Sequence, residues 1–406
     1  MTETTTRVLT DHLLVGVGTV GEAADRFDRL RAEGGVVRVD EPDRSYWMVL
    51  DHDLVRQCLQ DPATFSSSVV TPLNPDPPFK MIPIQLDPPE HTAWRRLLAG
   101  YFSPRRMTEL RPRLEERCRA LVADVLAAVG GDLLEDVGLK FPTVAFLELM
   151  GLPVELLPRF LEWESGALAP SADGTFDADA QMMSIFAVLG YFQDEITRLR
   201  TDGDRPEGLL SDMLDWEIDG VAAPDDALVN CCLLLFLAGL DTVAMSLAYV
   251  MHHLATHPGD RAQVAEIARS GESMAEVVEE LLRHYAVPEI GRKVTVDVEV
   301  GGVTMLAGDL VLFPLVSANR DGSWLAGADQ VDLDRGQAAA HIAFGAGPHR
   351  CLGSHLARIE LDVALTEWHR AIPDYALAEG DAPRAYWGNV HGMFGLALVV
   401  TPQAQA

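Results

Sequence analysis

The chain has 406 residues, with 61 Asp and Glu against 32 Lys and Arg and a formal net charge of −29. A field of that sign repels nucleic acid and anionic membrane surfaces and favours solubility. The five cysteines (Cys58, Cys118, Cys231, Cys232, Cys351) have no CxxC spacing, which argues against a disulfide framework or a zinc cluster and for a reducing compartment.

Length alone suggests roughly two or three domains. No Pro/Ser/Gly tract, repeat or low-complexity block divides the chain, so residues 1–406 are read as one large domain. Residues 1–40 are expected to be irregular apart from a short helix around 20–33. The opening Met1-Thr-Glu-Thr-Thr-Thr-Arg has no charged-then-apolar export pattern.

Ser45-Tyr-Trp-Met-Val-Leu50 predicts a strand, and Asp51 caps a helix running to residue 59. A second helix is expected from Asp87, with Pro88 at its first position and Glu90 closing a capping box. Helical spacing then dominates residues 107–280, with apolar residues three and four apart through 121–129, 144–149, 185–199 and 226–254. The most apolar run, 231–240, is half of the ~20 residues needed to cross a bilayer. Alternation comes late. Residues 293–300 and 303–306 read as a hairpin turning at Gly301-Gly302, and 310–314 and 396–401 read as further strands. The expected class is mainly α with small β sheets.

Within the 226–254 helix stands Ala238-Gly-Leu-Asp-Thr242. Gly239 costs about 1 kcal/mol against Ala in a helix interior. Asp241 and Thr242 are polar where the pattern calls for core, and a Thr hydroxyl can bond the carbonyl of residue 238 and open the helix. One reading is a Thr bonded to its own backbone and an Asp reaching solvent. The other is an acid–alcohol pair at a kink, where the hydroxyl meets a small molecule and the carboxylate relays protons.

Glu280-Leu-Leu-Arg283 puts a carboxylate and a guanidinium on one helical face. Such a pair is ordinarily exposed and contributes little. Buried, it could hold a loop, with Arg335 as third member. His91 and Arg95, four residues apart, could join Arg292 and His349 to bind two carboxylates, although each alone reads equally as a surface residue.

Phe344-Gly-Ala-Gly-Pro-His-Arg-Cys-Leu-Gly353 places one cysteine in a glycine-rich turn that runs into a helix over 354–364. Gly345, Gly347 and Gly353 let the backbone turn sharply and approach a flat partner. Helix N–H dipoles are expected to lower the Cys351 pKa and keep it ionised. A lone loop cysteine is usually a small buried hydrophobe. The full string instead favours a thiolate against a planar partner, which is what haem iron takes as an axial ligand.

Ala238-Gly-x-Asp-Thr242, Glu280-x-x-Arg283 and Phe344-x-x-Gly347-x-His349-x-Cys351-x-Gly353, in that order, resemble a bacterial soluble cytochrome P450. The resemblance runs from the Trp47 strand to the last strand and weakens before about residue 40 and across 165–225. It implies a single-domain cytochrome P450 fold with haem b between the distal long helix and the helix after the cysteine loop. Cys351 would be the proximal thiolate, with Phe344, Gly345 and Gly353 around it. His91, Arg95, Arg292 and His349 would hold the propionates, while Ala238 and Gly239 would face the distal side. Asp241 and Thr242 would deliver protons to dioxygen, and Glu280, Arg283 and Arg335 would fix the proximal core. Val331 stands where the family more often has an aromatic.

The implied activity is a mono-oxygenase that hydroxylates a small hydrophobic substrate. The alternatives are a peroxide-driven enzyme, disfavoured by the intact acid–alcohol pair, and a non-catalytic ligand-binding haem protein. The chain has no flavin domain and no iron–sulfur cysteine set, so a ferredoxin and its reductase would supply electrons. Arg105, Arg106, Arg111, Arg113, Arg117, Arg350 and Arg358 form either a docking patch or ordinary solubilising surface. Val69, Val70, Phe79, Ile82, Phe186, Val287, Met393 and Phe394, with Ala238, would line an apolar pocket or belong to the core. A loose likeness to terpenoid-hydroxylating members suggests a compact hydrophobe. The expected location is the cytoplasm, with no membrane.

Overall fold

Amphipathic helices enclose the chain's apolar residues, and the short strands of the described residues form five sheets. The computed structural model describes residues 8–10, 15–203, 205–380 and 382–400. Its α-helices are α1 (Glu22–Glu33), α2 (His52–Leu59), α3 (Glu90–Ala99), α4 (Pro104–Ala128), α5 (Lys140–Met150), α6 (Leu157–Leu168) and α7 (Ala178–Asp202). They continue with α8 (Leu209–Met213), α9 (Asp225–Gly239), α10 (Asp241–Thr256), α11 (Pro258–Ser270), α12 (Ala275–His284), α13 (Leu315–Asn319) and α14 (Ser354–Ala371).

Two apolar clusters flank the α9–α10 line. Leu114, Cys118 and Val122 of α4 meet Leu361, Leu365 and Trp368 of α14 and Leu247, Val250 and Leu254 of α10. On the other side Phe160 of α6, Phe192 of α7 and Phe236 of α9 form a second core. An 18-residue window within Asp225–Thr256 has mean hydropathy 2.0, so this stretch is long and apolar enough to cross a bilayer. Here 72% of that window is buried inside the protein, and the apolar stretch exceeds the ten residues read from the sequence. The dispersion and transfer energy of such a helix is satisfied by neighbouring helices.

The main sheet has six strands in the order Val8–Leu9, Val36–Asp40, Ser45–Val49, Leu310–Pro314, Glu289–Val294 and Phe65–Ser66. Val311 pairs Trp47 in parallel on one side and Arg292 antiparallel on the other, which fixes Arg292 in a central strand.

Several expectations are corrected. The leading segment is not irregular: Gly16–Thr19 and Val36–Asp40 are strands around α1, and residues 1–7 and 11–14 lie outside the described residues. Asp87 is not a side-chain cap. Pro89 occupies the N-cap of α3, and the Asp87 carboxylate instead accepts from the Ser67 N–H at 2.9 Å and from the Ser66 hydroxyl. Asp51 does stand at the N-cap of α2, but its side chain makes no capping bond. The expected strand 293–300 is two strands, Glu289–Val294 and Val298–Val300. The second turns at Gly301 and Gly302, both left-handed at φ 57° and 83° as a type I′ turn requires, and returns through Val303–Met305. The last strand is Ala397–Val400, and Thr401 lies outside the described residues.

Candidate active site

The long apolar helix breaks at Leu240 (φ −93°, ψ −69°), between α9 and α10. The Thr242 hydroxyl donates to the Ala238 carbonyl at 2.9 Å, the back-bond that helps open a helix. Ala238 is exposed although its helix is central, and a Cβ built on Gly239 would meet nothing within 4 Å. The break therefore leaves a notch of open space beside the helix. Asp241 starts α10 and is 5% exposed; burial raises its carboxyl to about 7. The two sequence readings divide here: Thr242 does bond its own backbone, and Asp241 does not reach solvent.

The cysteine turn approaches from α14. Gly345 and Gly347 have φ of 68° and 69°, and a Cβ on Gly347 would lie 2.3 Å from the Leu59 carbonyl oxygen. Gly353 departs from expectation: it is the N-cap of α14 at φ −74°, a conformation open to any residue. The Cys351 N–H donates to the Phe344 carbonyl at 2.8 Å, and Arg358 stacks 4.5 Å over the Phe344 ring. Cys351 lies deep in the protein, yet its side chain opens onto accessible space. The expected low thiol pKa is corrected. Burial pushes the thiol up and outweighs the Gly353 N–H and the guanidiniums of Arg95, Arg350 and Arg358. A metal ion bound to this thiol would deprotonate it.

His91, Arg95, Arg292 and His349 come together from α3, the central sheet and the cysteine turn. The His91 and His349 rings lie 3.8 Å apart. Arg292 is 4% exposed and donates to the Gly291 carbonyl at 2.7 Å. Burial holds its guanidinium down to about 10, against the pull of Asp87. Burial, together with Arg95 and Arg292, holds His91 at about 4; burial, then Arg292, His91 and Arg95, holds His349 at about 3. His91 Nδ1 and His349 Nε2 are buried without partners. Buried donors that lack acceptors are costly. This donor set fits two carboxylates on a flat group seated against Cys351, and so it fits haem.

Behind the turn, Glu280 and Arg283 are 1% and 0% exposed on α12 and form a two-bond fork at 2.8 Å each. Arg283 also donates to the carbonyls of Asn319, Ala328 and Gln330, and Glu280 accepts from Arg335 at 3.1 Å and from the Asp332 N–H. Burial pushes Glu280 up, but the bonds from Arg283 outweigh it and hold the carboxyl low. The pair thus takes the buried of its two readings and pins the loop that leads to the cysteine.

The remaining candidates fall in several packing groups. Val287, Met393 and Phe394 cluster with Met245 and Tyr386 beside α10. Ile82 packs with Leu86 and Trp94 in core. Phe79 and Phe186 line an open cavity of about 720 Å³ with Leu189 and Asn230. Val69 is buried, and the Val70 carbonyl accepts from the Gly291 N–H at 2.7 Å. The arginine patch is largely neutralised. Arg105 and Arg106 share Glu109, Arg111 meets Glu115 and Asp362, Arg117 meets Glu148, and Arg358 meets Glu279. Arg113 and Arg350 are exposed, with no carboxylate partner among the described residues.

Sequence reasoning missed Glu164 on α6, which is buried and bonded to Thr143 of α5. Its signal was available: Phe160, Glu164 and Ala167 share the buried stripe of that helix.

Residues 272–368 match the family described as Cytochrome P450. A "Probable cytochrome P450 127A1" of Sinorhizobium fredii is 34% identical over 87% of this chain and 83% of that protein. A "Vitamin D(3) 25-hydroxylase" of Pseudonocardia autotrophica is 33% identical, covering 87% of each. Among solved structures, a mutant of P450 EryK in complex with erythromycin B superposes with TM-score 0.83 at 29% identity, over 94% of this chain and 97% of that one.

Proposed function

The chain belongs to the cytochrome P450 family of haem b thiolate mono-oxygenases, and from that premise we propose that Cys351 is the thiolate ligand and that Asp241 and Thr242 supply protons for oxygen activation. The observation that carries this reading is the pair of buried ring nitrogens without partners on His91 and His349, with the buried Arg292 guanidinium alongside, beside a thiol that opens onto space. When bound, haem supplies electron-rich iron that favours O–O cleavage through thiolate donation.

The protein's own residues do the rest. Arg292, Arg95 and the two histidines bind and orient the propionates. Phe344 and Arg358 cover the sulfur side, and the Glu280–Arg283–Arg335 network keeps that loop from shifting. Because its single proton is donated to Ala238, Thr242 Oγ presents lone pairs to the notch, where they can accept a hydrogen bond from a small molecule and hold it in place. Asp241, held at about 7 by burial, is poised to exchange protons near neutral pH.

In this reading the whole chain acts as one unit in the cytoplasm and receives electrons from a ferredoxin and its reductase. The substrate is a hydrophobic molecule. Relatives named for vitamin D(3) and a neighbour bound to erythromycin B support that class, and a terpenoid is the compact candidate within it. Oxygen uptake driven by NADH with a surrogate ferredoxin pair, compared with hydrogen peroxide alone, tests the reading. NADH-dependent product from a hydrophobic panel is expected; product from peroxide alone, or none from either, would overturn it.

A further inference from the structure

Adjacent carboxylates on α12 hold different guanidiniums. Glu280 serves Arg283 and Arg335, whereas Glu279 reaches across to α14. Its Oε1 accepts from Arg358 Nε and its Oε2 accepts from Arg358 Nη2 at 2.9 Å, a fork between two mostly buried side chains. Arg358 Nη1 donates to the Ser354 carbonyl at 3.2 Å. All three guanidinium nitrogens are thereby held, and the guanidinium carbon sits 4.5 Å from the centre of the Phe344 ring.

Glu279 also reaches a second neighbour of that ring. Its Oε2 lies 3.2 Å from His341 Nε2, and the His341 and Phe344 rings are 5.8 Å apart. His341 Nδ1 accepts from the Ala343 N–H at 3.0 Å, and burial holds the imidazole below its usual range, so the neutral ring carries its proton on Nε2, toward the carboxylate. Burial pushes Glu279 up, but Arg358 and His341 outweigh it and hold the carboxyl at about 2. The Phe344 carbonyl in turn accepts from the Cys351 N–H, and Arg358 is one of the cations acting on the Cys351 thiol.

We propose that Glu279 is a positioning residue for the haem: its fork fixes the Arg358 charge over Phe344, beside the turn that carries Cys351, and so sets how readily the iron is reduced. This rests on the ligand role given to Cys351 above. Groups around an axial ligand tune the potential of the metal it binds. A cation held in place there favours the state with one more electron, whereas a guanidinium released into water is screened. The Glu279 charge by itself acts in the opposite direction. Removing the carboxylate therefore lowers the potential if Glu279 works through Arg358, and raises it if Glu279 is only a nearby negative charge.

Spectroelectrochemical titration of the haem-loaded variants tests this. Arg358→Met and Glu279→Gln should each move the reduction equilibrium about threefold or more toward the ferric form, and Glu279→Asp should recover part of the loss. The double variant should go no further than Arg358→Met alone, since Glu279 then has nothing to position. Should Arg358→Met fail to fold, Arg358→Lys keeps the charge without the fork and should shift the same way by less. A higher potential in Glu279→Gln, additive shifts in the double variant, or unmoved potentials overturn the proposal. The carbon monoxide spectrum of the same reduced samples separates the two readings. No thiolate band in the natural protein refutes Cys351 as ligand and the proposal with it; the band with unmoved potentials refutes the role of Glu279 alone.

Discussion

At the scale of single residues, the role proposed for Thr242 predicts that its hydroxyl separates productive from wasted oxygen reduction. Thr242→Ser keeps the bond to Ala238, and we expect coupling near that of the natural enzyme. Thr242→Val keeps the shape without the oxygen, and product per NADH should fall about tenfold or more while hydrogen peroxide rises. Equal coupling in both variants would remove Thr242 from proton delivery. Glu164 makes a second prediction through stability. Its folded pKa is raised, so its contribution is full below the usual carboxyl pKa and is lost as pH rises toward the folded value. The natural protein should therefore lose about 1.4 kcal/mol per pH unit relative to Glu164→Gln across that window, read from denaturant midpoints between pH 5 and 8; parallel curves would mean that Glu164 is not protonated. Thr242 and Arg283 were legible in the sequence because their partners lie three and four residues away. Glu164 was not, because its partners come from other helices and only its place on an apolar stripe marks it.

At the scale of elements, a glycine and an ion pair set the cysteine turn. Gly347→Ala puts a methyl against the Leu59 carbonyl in a left-handed conformation. It should destabilise the protein by about 2 kcal/mol or more and lower haem retention, measured by thermal melts and haem content; a neutral result would show that the turn relaxes freely. Glu280→Gln leaves Arg283 buried without its counter-charge and should cost about 3–5 kcal/mol. The α9–α10 break was readable from Gly239 and Thr242, since both act locally. The start of α3 was misread because the Asp87 carboxylate serves Ser66 and Ser67, partners that no local pattern reveals. The Cys351 thiol was misjudged for a similar reason: the helix dipole is visible in sequence, but the burial that outweighs it is not.

At the scale of the whole molecule, a net charge of −29 would repel an acidic electron donor unless cations near Cys351 offset it. Most of the expected patch is matched by carboxylates, which leaves Arg113 and Arg350 open. Arg113→Glu should slow ferredoxin reduction about threefold at low salt, and the difference should fade as salt screens it; stopped-flow rates indifferent to this change would move the docking face elsewhere. The expectations about oxygen and electron transfer depend on the sulfur of residue 351 binding haem iron. The carbon monoxide difference spectrum of the reduced protein tests that most directly. The natural protein should show the long-wavelength band of a thiolate-ligated haem and Cys351→Ser should lose it, whereas a band that survives the substitution would contradict the account.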